Sequence, residues 1–255
     1  MNLAAKKVIV FDLDGTIATS KLPITAEMAG LIEQLLASRQ VCIISGEKFE
    51  QFQKQVLSKL DPTANLANLH IMPTCGTRYY RFKDGDWRQV YAEELPADER
   101  QQIVRTLTEG AKSLGLWPNQ AWGEIVEDRG TQVTYSALGQ EAPIEAKRNW
   151  DPDGKKRLQL REYLLKRIGN YEVDVAGTTS VDVTAAGIDK AYGVKKLEQV
   201  LNLNNDDLLF MGDQLRLGGN DHPVKALGID SIAVKDWHET AEDIRQLLRL
   251  DTKNS

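Results

Sequence analysis

The chain has 255 residues, 42% hydrophobic and 27% charged, enough to bury a substantial core without a disulfide or metal staple. Its 32 Lys and Arg against 37 Asp and Glu give a formal net charge of -5, which argues against a general nucleic-acid binder, because affinity for phosphate backbones comes from clustered cations. Cys42 and Cys75 with no CxxC spacing, and three histidines, exclude a disulfide framework and the common Cys/His zinc sites. A reducing, cytoplasmic setting is expected. The first apolar run is broken at once by Asp12 and Asp14, unlike a signal peptide or a spanning helix, so no membrane association is expected.

Residues 8–11 (Val-Ile-Val-Phe) form a continuous β-branched and aromatic run that ends in acids and Gly15, the pattern of a buried parallel strand. Thr25 is placed to cap a helix in which Met28, Leu31, Ile32, Leu35 and Leu36 fall on one stripe. Residues 41–44 read as a second buried strand, Phe49, Phe52 and Val56 mark a second helix, and residues 69–72 a third strand. Strand and helix alternate, so a parallel sheet is predicted. Around residues 79–87 the texture turns aromatic about an Asp84-Gly85 turn, a hairpin signal, and a domain boundary is placed there.

The middle segment carries a helix with Ile103, Leu107, Ala111 and Leu114, alternating strand-like runs at 132–135, 171–175 and 180–183, and a helix opened by Asp151-Pro152-Asp153. It reads as α+β. Alternation of the first kind returns from Lys190, with a strand at 208–211, a glycine-rich acidic loop, a strand at 231–234 and a last helix. The predicted organisation is an α/β core (1–83 and 188–255) interrupted by an α+β domain (84–187).

In an open parallel sheet the carboxyl ends of the strands line the binding crevice. Asp12 and Asp14 end the first strand and Asp213 a later one. Converging carboxylates repel, so they hold protons or a cation between them; oxygen donors without clustered histidine favour Mg2+. Ser45-Gly46 ends the second strand, where a hydroxyl and a loop amide can hold a phosphoryl oxygen, although Ser-Gly is also a routine turn. Lys190 opens a helix where the core resumes, and Gly218-Gly219-Asn220-Asp221 follows Gly212-Asp213 in a loop too acidic and too rich in glycine for a simple connection.

Phe11-Asp12-Leu13-Asp14-Gly15-Thr16, Ser45-Gly46, Lys190 and Gly212-Asp213…Gly219-Asn220-Asp221 resemble, in order and setting, the four motifs of the haloacid dehalogenase-like (HAD) phosphotransferases. The inserted segment looks like the type C2B cap of their IIB, Cof-like branch, on a Rossmann-like parallel-sheet core. Within that branch the chain is most similar to the eukaryotic-type phosphomannomutases, through Ser45 to Glu50, Arg129-Gly130-Thr131, Ser180-Val181-Asp182 and Gly218 to Asp221.

The resemblance implies that Asp12 attacks phosphorus, that Asp14 serves as general acid and then base, and that Lys190 and Ser45-Gly46 hold the transferring group. It implies Mg2+ on Asp12, the Asp14 carbonyl and Asp213, with Asn220 or Asp221. In the cap, Arg129, Ser180 and Asp182 match substrate-binding positions. A plainer reading pairs Arg129 with Asp128 or Glu127 and leaves Asp182 an exposed strand acid. Lys147-Arg148 and Lys155-Lys156-Arg157 are expected as solvated faces, and Trp117, Trp122, Trp150 and Tyr135 as cap core.

The sequence departs from the mutase pattern where a second phosphate is gripped: Gln140 stands in place of one arginine, Lys21 in place of another, and a further cap arginine is missing. The expected activity is therefore a Mg2+-dependent phosphatase of a small phosphorylated metabolite, with a sugar phosphate favoured. The alternatives are a phosphomannomutase or phosphoglucomutase and, from another class, a binding protein that has lost catalysis. The expected partner is the phosphorylated small molecule, with a homodimer through the cap left open.

Overall fold

A computed structural model describes residues 2–254. In chain order its strands are β1 (Val8–Phe11), β2 (Gln40–Ile44), β3 (Leu69–Met72), β4 (Arg78–Lys83), β5 (Asp86–Ala92), β6 (Val126–Asp128), β7 (Gln132–Ser136), β8 (Tyr171–Ala176), β9 (Ser180–Ala185), β10 (Leu208–Gly212) and β11 (Asp230–Ala233). The helices are α1 (Ala26–Ser38), α2 (Phe49–Gln55), α3 (Ala97–Ser113), α4 (Ile144–Trp150), α5 (Lys155–Leu165), α6 (Lys190–Leu201), α7 (His222–Ala226) and α8 (Trp237–Asn254). They group into two compact units, Met1–Ala92 with Asp189–Ser255, and Glu93–Ile188.

The first unit is built on a seven-stranded sheet ordered β11-β10-β1-β2-β3-β4-β5. β11 to β3 pair in parallel, and β4 and β5 are antiparallel additions. β1 is fully buried because its alternate side chains feed two layers: Ile9 and Phe11 pack with Met28, Ile32, Phe52 and Ile244, while Val8 and Val10 pack with Val194, Leu197 and Val224 on the other face. That two-sided burial is why the strand reads as an unbroken apolar run. Thr25 caps α1 as predicted, its hydroxyl accepting from Met28 N at 3.2 Å. The chain leaves β1 for β2 on one side and returns through β10 on the other, so the carboxyl end of β1 is the switch point where such sheets bind ligands.

The predicted boundary falls too early. The aromatic hairpin is not the start of the inserted domain: β4 and β5 extend the core sheet, and the second unit begins at Glu93. Aromatic packing fixes it there, with Tyr79 buried in the core and Phe49 of α2 stacked on Tyr80 at 3.9 Å between ring centroids.

The second unit carries a four-stranded antiparallel sheet ordered β6-β7-β9-β8. Val133, Tyr135, Val181 and Val183 face α3 and α5, meeting Ile103, Leu107, Leu160 and Leu164. The alternate residues Gln132, Thr134, Ser136, Asp182 and Thr184 are polar and yet buried. Two cationic residues expected on solvated faces are also buried. Lys147 donates to the Gln140 carbonyl at 2.8 Å, and Arg157 pairs with Asp151 at 2.8 Å, because each finds an internal acceptor. Trp122, expected in the core, is 47% exposed, whereas Tyr135 is fully buried. No described helix is long and apolar enough to cross a membrane.

Candidate active site

At the carboxyl end of β1 the backbone turns sharply through Gly15, whose φ is +89°. A Cβ on Gly15 would lie 2.7 Å from an Asp213 carboxylate oxygen, and one on Gly212 would lie 2.4 Å from Asp221 Oδ2. Both glycines therefore make room for acids, which is the close approach glycine permits. Asp12, Asp213 and Asp221 each present a carboxylate oxygen, all within 4.8 Å of one another.

Lys190, at the first position of α6, reaches into this cluster. Its Nζ lies 2.5 Å from Asp12 Oδ1 and 2.5 Å from Asp221 Oδ1, with the lysine side chain 1% exposed. Asp221 Oδ2 accepts from Gln214 N at 2.9 Å, and Thr16 Oγ1 donates to Asp12 Oδ2 at 3.3 Å. α6 comes this close because Gly193 meets Gly76: a Cβ on Gly193 would stand 2.5 Å from the Cys75 carbonyl and 2.5 Å from Ile44 Cδ1.

Burial pushes Asp12 up to about 8, with the Asp221 and Asp213 carboxylates adding to the rise and the Lys190 ammonium opposing it. Burial by itself would lower Lys190, but Asp12 and Asp221 outweigh it and hold the ammonium above its ordinary range. Asp213 is raised, again by burial first. Three acids share one buried cation, and that excess of negative charge is what a further cation would relieve.

Asp14 sits beside this cluster in surroundings of its own. Its Oδ1 accepts from Lys21 N at 2.9 Å and from Gln55 Nε2 at 2.9 Å, and its Oδ2 lies 4.0 Å from Lys21 Nζ. Burial raises its pKa, with Lys21 opposing the rise and Glu47 adding to it, a direction that favours the protonated carboxyl a general acid needs. Lys21 is ion-paired with Glu47. Ser45 is buried at the end of β2, its Oγ accepting from Glu47 N at 3.3 Å, and Gly46 follows in the same loop.

The predicted cap residues are held by hydrogen bonds and an ion pair within the second unit. Arg129 pairs with Glu127 at 2.7 Å, with 2% of its side chain exposed, one of the two acids expected beside it. Gln140 Nε2 donates to Ser136 Oγ at 2.9 Å and Glu127 Oε2 at 3.4 Å. Ser136 and Ser180 hydroxyls are 3.2 Å apart, and Thr134 Oγ1 donates to Asp182 Oδ1 at 2.8 Å. Asp182 is buried, not the exposed strand acid of the plainer reading.

Sequence reasoning assigned no role to Thr16, Glu47, Gln55 or Gln214. Gln55 was the detectable one. It lies three residues after Phe52 on the apolar stripe of α2, and a polar residue on a core-facing stripe signals a buried partner.

Residues 9–223 match the family described as haloacid dehalogenase-like hydrolase. The chain belongs to that family. As a haloacid dehalogenase-like hydrolase it is an enzyme of the phosphatase or phosphotransferase type. It is 26% identical over 256 residues to a probable phosphomannomutase of Caenorhabditis elegans, covering 95% of this chain and 94% of that one. It is 23% identical to a phosphomannomutase of Schizosaccharomyces pombe over 86% and 85% of the two chains. Among solved structures, it superposes on an IMP-bound Plasmodium falciparum IMP-nucleotidase with a TM-score of 0.69 at 16% identity, covering 97% of this chain and 71% of that one. A likeness at that identity is one of fold.

Haloacid dehalogenase-like hydrolases work with Mg2+, and the donor set here fits it. The acids at the end of β1 and β10 offer oxygen only, as a hard divalent cation requires. Asn220 Oδ1, two residues before the start of α7, is buried and makes no hydrogen bond, a polar atom of the kind that an ion or its water shell satisfies.

Proposed function

We propose that this chain is a Mg2+-dependent phosphatase of small sugar phosphates that works through an aspartyl phosphate on Asp12. Asp12 forms a bond to phosphorus as the ester P–O bond breaks, and the departing oxygen takes a proton from Asp14. Asp14 then removes a proton from water as the water oxygen attacks phosphorus and releases Asp12. Splitting one displacement into two in this way needs a nucleophile and a separate acid/base, which the two carboxyls supply from different surroundings. Lys190 offsets charge on the transferring group, and Ser45 with Gly46 hold its oxygens. Asp12, the Asp14 carbonyl, Asp213 and Asn220 or Asp221 would hold Mg2+, which would supply positive charge beside the phosphoryl oxygens.

One observation favours hydrolysis over isomerisation. A mutase must grip a second phosphate, and guanidinium does this best when its fork is available. Here both cations at the matching positions already have a carboxylate: Lys21 is paired with Glu47 and Arg129 with Glu127. Gln140, at the third position, is neutral. The cap residues Glu127, Thr134, Ser136, Ser180 and Asp182 are instead suited to hydroxyl groups, which donate to carboxylates and accept from other hydroxyls.

The relatives at 23–26% identity that are named phosphomannomutase support the mutase as the second reading. One assay separates the two. Mannose 1-phosphate supplied with Mg2+ and a catalytic amount of mannose 1,6-bisphosphate is expected to yield free phosphate. Accumulation of mannose 6-phosphate without phosphate release would establish the mutase.

A further inference from the structure

Gln55 is completely buried at the last position of α2, and every polar atom of its carboxamide is committed. Nε2 donates to Asp14 Oδ1 at 2.9 Å and to the Leu22 carbonyl at 2.9 Å, while Oε1 accepts from Gln51 Nε2 at 2.9 Å. Turning the amide over would set its oxygen against two acceptors and its NH2 against a donor, so the network allows a single orientation. The main chain makes a further tie, since the Gln55 carbonyl accepts from Ile24 N at 2.8 Å. One residue thus clamps the segment after Asp14 at two points and the Asp14 carboxyl at a third.

The clamp makes the two oxygens of Asp14 unequal. Oδ1 already accepts from two N–H groups, those of Gln55 and Lys21. Lys21 is itself held at a φ of +61°, a left-handed conformation that is strained for a non-glycine residue and persists only where its surroundings impose it. An oxygen with two N–H donors pointed at it is a poor place for a proton, because a hydroxyl there would face them. Among the described residues no hydrogen bond is made to Oδ2, and the ion-pair partner Lys21 Nζ stands 4.0 Å from it.

We propose that Gln55 is a positioning residue that, with the Lys21 amide, engages Oδ1 of Asp14 and so assigns proton transfer to Oδ2. This rests on the reading of Asp14 as general acid and base. In the first transfer Oδ2–H gives its proton to the leaving oxygen as the P–O bond breaks; in the second, Oδ2 takes a proton from the attacking water. Gln55 touches neither substrate nor phosphorus. Its contribution is the aim of a carboxyl that would otherwise rotate about its terminal torsion.

The test uses two substrates of nearly the same shape and different need for an acid. Phenyl phosphate expels a basic phenolate that requires a proton; p-nitrophenyl phosphate expels one that does not. First-turnover release of each phenol is measured with Mg2+ for the full chain and for Gln55→Leu, Gln55→Glu and Asp14→Asn. Both Gln55 variants are expected to slow phenol release by about 10²-fold, the usual worth of a positioned acid, and to leave first-turnover nitrophenol release close to that of the unmodified chain. Equal loss on both substrates in a variant that still unfolds cooperatively, or no loss on either, overturns the inference. If Gln55→Leu does not fold, Gln55→Glu, which keeps the volume and replaces the donor by an acceptor, decides by the same ratio. Asp14→Asn separates the two layers: a selective loss there without one at Gln55 defeats the positioning role alone, and no selective loss at Asp14 defeats the reading beneath it. Failure of the unmodified chain to release either phenol overturns both.

Discussion

Asp12→Asn is expected to lower turnover of any phosphomonoester by at least about 10⁴-fold while the protein remains folded. The magnitude follows from removing the atom that forms the covalent bond, since groups that act as a unit lose nearly the whole enhancement when one is taken away. Retained folding follows from the charge balance at the site. Asp12 is one of three clustered acids, of which it and Asp221 are buried and paired with Lys190, and burial with the neighbouring carboxylates already raises its pKa to about 8. A neutral amide of the same shape relieves that repulsion and leaves the Lys190 to Asp221 pair in place. The melting temperature of Asp12→Asn should therefore equal or exceed that of the parent. Steady-state phosphate release together with thermal unfolding checks both halves, and turnover near the parent's would remove Asp12 as nucleophile.

Lys190→Met carries the second large effect, and here activity and stability are expected to fall together. The methionine matches the stem of the lysine but takes away the only cation that an ion pair places on Asp12 and Asp221 among the described residues. Breaking a buried pair from one side leaves the other charge uncompensated and costs roughly 3–5 kcal/mol. Loss of a preorganised charge at the reacting centre costs about 10²–10³ in rate. The sign of the pH dependence follows. The Lys190 ammonium lowers Asp12 in the parent, whose value is about 8, so without it the folded state holds the Asp12 proton to higher pH and the variant's stability goes on falling beyond the pH at which the parent's Asp12 has ionised. Its deficit should widen as the pH is raised above about 8, the parent's Asp12 value. Urea unfolding at several pH values measures this, and a deficit independent of pH would mean that the lysine acts mainly through packing.

The contrast between the two variants reflects how the site is built. The backbone places its acids without regard to their repulsion, at strand ends where two glycines leave no side chain of their own. α6 then brings one cation up from the far end of the sequence, 178 residues from Asp12. The Gly76 to Gly193 contact makes that approach feasible, so a packing feature of the core sets an electrostatic distance in the site.

The acids and Lys190 were legible in the sequence because strand ends, glycines and charged residues coincide there, and the alternation of apolar runs showed that the sheet is parallel but not the order of its strands. The aromatic hairpin was legible as a hairpin and not as part of the core. Local pattern reports that residues 78–92 turn back on themselves, but not which sheet edge they join, and Phe49 stacking on Tyr80 decides that from 31 residues away in the chain. Lys147 and Arg157 were misjudged for a related reason: a cation looks solvated in sequence until the Gln140 carbonyl or Asp151 appears beside it. Gln55 lies between these cases, visible as a polar residue on an apolar stripe while its partner Asp14, 41 residues earlier, was not. In the cap, the polar alternation of β7 and β9 was legible, and the pairing of Arg129 with Glu127 was one of two options until the side chains were placed.

The central claim is that phosphorus passes through a covalent bond to Asp12, and chemical trapping tests it directly. Protein mixed with substrate and Mg2+ is quenched in borohydride, which reduces an acyl phosphate to an alcohol, and the peptide containing residues 8–14 is sequenced by mass spectrometry. Homoserine at position 12, dependent on substrate and absent from Asp12→Asn, is the predicted result. Homoserine at another carboxylate, or turnover that proceeds with no trapped residue, would contradict it.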